Sequence, residues 1–255
     1  MLTNIPIGLS MWQCVFCKSE AGPFTTREHI LPESIGGGDW ALLREGRFCD
    51  SCQNRFGSEI EQQALGDYPF SFFRVFLGIP TKKGKPPWLK SGEGIVRAAM
   101  KPGQIGYDPA SHFEQAMHGG SKTQIRLLAH PLRPHMICRT LLKMGIEVVA
   151  NDDPTDVFHK RYDAAREYAL QGRKKGGWWY LQRENIQAAS QFITHGISLD
   201  DWEKGVTLSV IKIDEEAEVF HLRLLYVDLM VPLHPRIQAP PMTDLREPEF
   251  RLFKV

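Results

Sequence analysis

The sequence predicts an α+β protein: a small, metal-stapled unit over residues 1–66, then an α+β unit over residues 67–255 built on an antiparallel sheet. Three observations predict it. Four of the five cysteines form two Cys-x-x-Cys pairs, Cys14/Cys17 and Cys49/Cys52; short β-prone runs bounded by turn residues recur from residue 94 to residue 233; and residues 135–150 and 155–171 carry apolar side chains at helical spacing. A chain of 255 residues with 42% hydrophobic content is long enough to bury a sizeable core. It has no run of about eighteen apolar residues. The opening "MLTNIPIGLSMWQC" has neither a basic start nor a small-residue cleavage site, so a cytoplasmic protein without a membrane segment is expected.

The elements follow in order. After the first cysteine pair come a β-prone run from Thr25 to Leu31, the glycines Gly36–Gly38, and a second run from Leu42 to Phe48. The second cysteine pair opens "CDSCQNRFGSEIEQQALG", read as a helix that carries Phe56 and Ile60 on one face and ends at Gly66. The aromatic "YPFSFFRVFLGIP" is expected to pack the first unit onto the second, and "TKKGKPPWLK" reads as a basic loop broken by proline and glycine. Strands are expected at 94–100, 123–129, 177–182, 207–213 and 219–233, the last two as a hairpin across "DEEAE"; the tail from Pro235 reads as irregular. Cys138, in "PHMICRTLLKMGIEVVA", reads as a small core residue.

Two Cys-x-x-Cys knuckles about thirty residues apart match a closed tetrahedral zinc site. Four thiolates leave no coordination position for water, so this ion is expected to be structural and to hold together a unit with little core of its own. The chemistry must then lie elsewhere. The stretch "TREHILPESIGGG" sets a carboxylate, Glu28, beside a histidine, His29, just outside the first knuckle, and the zinc would bring that pair near the start of the second-knuckle helix.

These residues resemble the HNH endonucleases, in particular those whose ββα-metal core is pinned by zinc: "CVFC", then "EHILPESIGG", then "CDSCQNRFGSEIE", over roughly residues 12–62. The resemblance implies that Glu28 binds a divalent cation, Mg²⁺ or Mn²⁺, that His29 is the general base, and that an amide after the second knuckle completes the metal site. The family commonly has Asn or His directly after the last cysteine. Here Gln53 stands there, one methylene longer, with Asn54 next, so the two are alternatives, Gln53 ranked first. The family's middle polar residue has only Asp39 as a counterpart. The implied activity is metal-dependent hydrolysis of phosphodiester bonds in DNA, in the setting of phage defence, restriction or mobile-element biology, and one core supplies one cut, so double-strand cleavage would need a homodimer or two visits. The alternative is a zinc-stapled nucleic-acid-binding module whose Gln53 marks a lost metal site.

A histidine suits this chemistry because its ordinary pKa near 6.5 lets it take a proton from water at neutral pH. Pro32 and the glycines are read as turning the chain away so that a phosphate backbone can approach. Arg27 and Arg55 are read as phosphate clamps or surface ion pairs, and Lys82, Lys83, Lys85 and Lys90 as a nucleic-acid track or a solvated loop. Trp178 and Trp179 read as core rather than as base-stacking residues, and Glu59 and Glu61 as solvated. The net charge is only +1, but residues 74–101 hold 7 basic against 1 acidic side chain and residues 122–183 hold 12 against 6, so a polyanion would be met by the middle of the chain.

Overall fold

The computed structural model describes residues 12–81, 84–91, 94–99, 101–110, 130–172, 177–195, 198–215, 217–241 and 249–255. The expected strand at 123–129 and the loop lysines Lys82 and Lys83 lie outside these residues. Among the described residues, the N-terminal part has little regular structure between the first knuckle and the second. Its two β-prone runs contract to one antiparallel bridge between His29 and Leu42, flanked by Ile30 N–H donating to the Ala41 carbonyl (2.7 Å) and Leu43 N–H to the Glu28 carbonyl (2.9 Å). Between them the chain curls through 3₁₀ turns at Glu33–Ile35 and Asp39–Ala41.

The second knuckle opens α1 (Asp50–Arg55), which passes through a π-helical turn (Phe56–Glu61) into α2 (Gln62–Leu65), capped by Gly66. Phe56 and Ile60 are fully buried, as their spacing requires. Asp67 then accepts the backbone N–H groups of Tyr68, Leu132 and Arg133, joining this end to a distant helix start. The aromatic stretch forms α3 (Phe70–Leu77), which ends at Gly78 in the left-handed conformation that glycine adopts without penalty. An antiparallel meander follows: β1 (Trp88–Ser91), β2 (Gly94–Ala98) and β3 (Ile105–Pro109).

The centre of the molecule is α4 (Pro134–Asp152), buried without interruption from Ile137 to Ala150. Helices apolar all round are core helices. This one adds a line of polar side chains four apart, Arg139, Lys143 and Glu147, all buried. The expected helix 155–171 is interrupted at its start: the Asp153 carboxylate accepts from the Thr155 hydroxyl and from the Thr155 and Asp156 N–H groups, and two 3₁₀ turns precede α5 (Asp163–Gln171).

A five-stranded antiparallel sheet in the order β5-β6-β7-β4-β8 packs on α4; its strands are β4 (Trp179–Glu184), β5 (Val206–Lys212), β6 (Glu218–Leu224), β7 (Val227–Pro232) and β8 (Phe250–Lys254). A Cβ on Gly145 of α4 would lie 2.8 Å from Phe220 Cβ, so only glycine lets the sheet approach this closely. The run 219–233 is two strands, not one. Its turn at Leu225 has a positive φ of 54° without the glycine or asparagine that would have announced it. The tail, expected to be irregular, supplies edge strand β8, paired to β4 from Trp179↔Lys254 to Arg183↔Phe250. Two further helices, α6 (Ile186–His195) and α7 (Leu199–Gly205), link β4 to β5. Buried residues on both sides of Gly66, from Cys14 to Leu233, form one hydrophobic cluster.

Candidate functional site

The sulfurs of Cys14, Cys17, Cys49 and Cys52 lie within 4.8 Å of one another, and Cys17 Sγ and Cys49 Sγ are 3.7 Å apart. A tetrahedron of Zn–S bonds of about 2.3 Å has edges of about 3.8 Å. As bare thiols, Cys14, Cys17 and Cys52 shift apart. Cys14 is lowered to about 5, chiefly by the thiol hydrogen bond from Cys52; the same bond and burial push Cys52 up, and burial raises Cys17 to about 11. Four thiolates therefore require a cation among them, and the donor set fits one tetrahedral metal ion.

The surroundings brace both knuckles. Arg166 of α5 donates from Nε to the Val15 carbonyl (2.6 Å) and from Nη1 to Asp163 (2.6 Å), and Lys18 meets the same Asp163 oxygen at 2.6 Å. On the other side, Asp50 accepts from the Thr25 hydroxyl (2.6 Å), the Thr25 N–H (2.9 Å) and the Thr26 hydroxyl (3.0 Å); these bonds hold its carboxyl below the usual range. The segment leading to Glu28 is thereby tied to the start of α1.

Glu28 turns inward and is only 8% exposed. Its Oε2 accepts from Gln53 Nε2 at 2.8 Å, and Gln53 Nε2 also lies 3.3 Å from the Arg27 carbonyl. The residue directly after the last cysteine therefore meets the carboxylate. Asn54 does not: it is exposed, and its backbone carbonyl accepts from the Ser58 hydroxyl. His29 alternates to the other side of the extended segment, where its Nε2 stands 3.6 Å from Glu33.

The remaining Glu28 oxygen, Oε1, is held at 2.6 Å by the ammonium of Lys143, which is fully buried on α4. Lys143 also stands 3.0 Å from Glu147, one turn along its own helix, and 2.9 Å from Glu61, which the π-helical turn delivers. Burial works against the charged lysine, but the carboxylates of Glu147, Glu28 and Glu61 outweigh it and hold its pKa well above the ordinary value. Glu147, buried among other acids, is pushed well up. Glu61 is thus not the solvated helix residue its position suggested. Lys143 and Glu147 were missed too; their signal was two opposite charges four apart within a largely apolar helix.

Other expectations fall on either side. Cys138, Trp178 and Trp179 are core residues. Arg27 is exposed and pairs with Asp39 at 3.5 Å; Arg55 pairs with Glu59 at 3.5 Å; Lys85 is exposed. The basic excess of 122–183 is partly internal, since Arg139, Lys143 and Arg166 are buried. The glycines serve packing within the protein: a Cβ on Gly36 (φ 88°) would lie 2.3 Å from Trp202 Nε1, and one on Gly37 1.7 Å from the Leu31 carbonyl oxygen. The side of the turn at Gly36 is thus occupied by an indole of α7.

Residues 14–68 match the model of the HNH endonuclease family. This segment is an HNH module. No curated protein and no solved structure matches the chain. The module's matched span closes just past α2, so both knuckles, Glu28, His29, Gln53 and Glu61 lie within it while Lys143 and Glu147 lie outside. Among the described residues, no helix is long and apolar enough to cross a membrane.

Proposed function

We propose that the chain is a metal-dependent HNH endonuclease that hydrolyses phosphodiester bonds in DNA, with a structural zinc on Cys14, Cys17, Cys49 and Cys52. The observation that carries this reading is the 2.8 Å contact between Glu28 and Gln53, inside the family-matched segment and beside the four-thiol cluster. The residues fit a divalent cation. Glu28 offers one carboxylate oxygen, and the Gln53 amide can present its oxygen in place of its nitrogen by a half-turn. Bound there, Mg²⁺ or Mn²⁺ would offset the charge that develops on the leaving oxygen. His29, at the next position and on the other side of the segment, takes a proton from the attacking water. Arg27 and Arg55 hold only exposed carboxylates at 3.5 Å, weak pairs that a phosphate can replace. Dimerisation and a cytoplasmic setting belong to the same proposal.

A second reading has one observation in its favour: the Lys143 ammonium already neutralises Glu28, as a carboxylate with a purely structural role would require. The protein would then be a zinc-stapled nucleic-acid-binding module. Incubation of the zinc-loaded chain with supercoiled plasmid and Mg²⁺ or Mn²⁺ separates the two. Conversion to nicked or linear DNA supports the nuclease; retarded but uncut plasmid supports the binding module.

A further inference from the structure

Burying an ammonium is costly unless its partners are well placed, and a lone pair to Glu147 on the same helix would have satisfied Lys143 locally. Instead its shortest contact, 2.6 Å, reaches 115 residues back to Glu28, and Glu61 of the module closes on it from the π-helical turn at 2.9 Å without hydrogen-bond alignment. The Phe48 ring, 5.5 Å from Nζ, presents its face to the same ammonium. Of the three carboxylates around Lys143, only Glu28 has its second oxygen on the amide of Gln53. Lys143 therefore fixes one oxygen of Glu28 and leaves the other aimed at the proposed cation position. A free carboxylate would swing between one-oxygen and two-oxygen binding; this one is limited to Oε2.

Resting on the nuclease reading above, we propose that Lys143 is a positioning residue of the HNH site: it anchors Glu28 through Oε1, so that α4, outside the family-matched segment, completes the cation position. The extra methylene of Gln53 is consistent with this arrangement. With Glu28 drawn toward α4, a longer amide is needed to reach it. The later part of the chain thus has a defined task, holding the ligand geometry of the module in front of it. Partners that orient metal ligands in this manner typically change metal affinity about 10–100-fold when removed.

The test compares Mn²⁺ affinity, read by electron paramagnetic resonance of free Mn²⁺, in full-length, zinc-loaded protein. The double variant Glu61→Gln/Glu147→Gln keeps the Lys143–Glu28 pair and should bind Mn²⁺ within about 3-fold of wild type, well inside the range for a lost orienting partner. Adding Lys143→Met removes the anchor without leaving a nest of uncompensated acids. That triple variant should keep one zinc per chain and bind Mn²⁺ about 10-fold or more weakly. Equal affinity in the double and triple variants would make Lys143 a purely structural interlock, and tighter binding in the triple would make it a competitor of the cation; either overturns the proposal. A wild type with no Mn²⁺ site sensitive to Glu28→Gln overturns it together with the nuclease reading, whereas a cleaving wild type with an unaffected triple variant overturns this inference alone. A second measurement needs no substitution. The ¹⁵N signal of the Lys143 ammonium should persist, shifted, through saturation with Mg²⁺; its disappearance on saturation would show that the cation displaces the lysine, and would overturn the proposal.

Discussion

The four-thiol cluster and the carboxylate nest are built on opposite plans. Both gather groups that can carry negative charge from separate segments, but the four sulfurs surround a position that an ion from solution could fill, whereas Glu28, Glu61 and Glu147 surround an ammonium that the chain itself supplies. The first is local to the module. The second spans it, joining residues 28 and 61 to residues 143 and 147. The module thus has two fastenings of different kinds: a four-thiol cluster that could hold a metal within it, and a buried cation from the helix behind it.

The largest expected effect comes from breaking the first fastening. Structural zinc supplies about 10–16 kcal/mol in isolated zinc-finger peptides, comparable to the whole stability of many domains. Cys49→Ser is therefore expected to lose zinc and unfold the module. Because its core is continuous with the rest, the whole chain should melt lower, as metal analysis and a circular dichroism melt would record. An unchanged melt in a zinc-free variant would show that the second fastening suffices.

Breaking that second fastening should cost less. Lys143→Ala leaves buried carboxylates without their cation, a change expected to destabilise by about 3–5 kcal/mol, measured by denaturant unfolding. Zinc content should stay at one per chain. If stability fell by less than about 1 kcal/mol, the nest would behave as an exposed pair and its burial would be wrong.

The comparison also explains what was legible in the sequence. Cysteine ligands come in pairs two residues apart, so each knuckle announces itself, and the Glu28-His29 pair stands out beside them. The helix after Cys52 and the buried α4 follow from apolar spacing alone. What lay hidden was long-range. Glu61 read as solvated because its partner is Lys143, and Gly36 read as a turn residue alone because Trp202, which packs on it, comes from α7. The split of 219–233 was hidden for a local reason, a leucine at positive φ where a glycine would be expected. Strand β8 was hidden by the proline-rich stretch before it.

Smaller effects sharpen the seam between the module and the later helices. Gly36→Ala places a Cβ 2.3 Å from Trp202 Nε1 at a φ of 88°, an overpacking expected to cost about 1–3 kcal/mol. Pairing it with Trp202→Ala should recover part of that loss in a double-mutant cycle of unfolding free energies; strict additivity would mean that the two do not press on each other. The smallest effect is expected at Asn54, which is exposed. Asn54→Ala should leave the Mg²⁺ concentration for half-maximal cleavage unchanged, while Gln53→Ala raises it. The reverse pattern would reassign the amide ligand.

The central claim, that the module cleaves DNA with His29 as its base, is tested most directly by one rate comparison. Zinc-loaded wild type and His29→Ala, matched in fold and zinc content, are incubated with supercoiled plasmid and saturating Mg²⁺, and loss of the supercoiled form is timed. Wild type is expected to cleave and the variant to be slower by roughly 10²-fold or more. Equal rates would contradict the claim and leave His29 a structural residue beside Glu33.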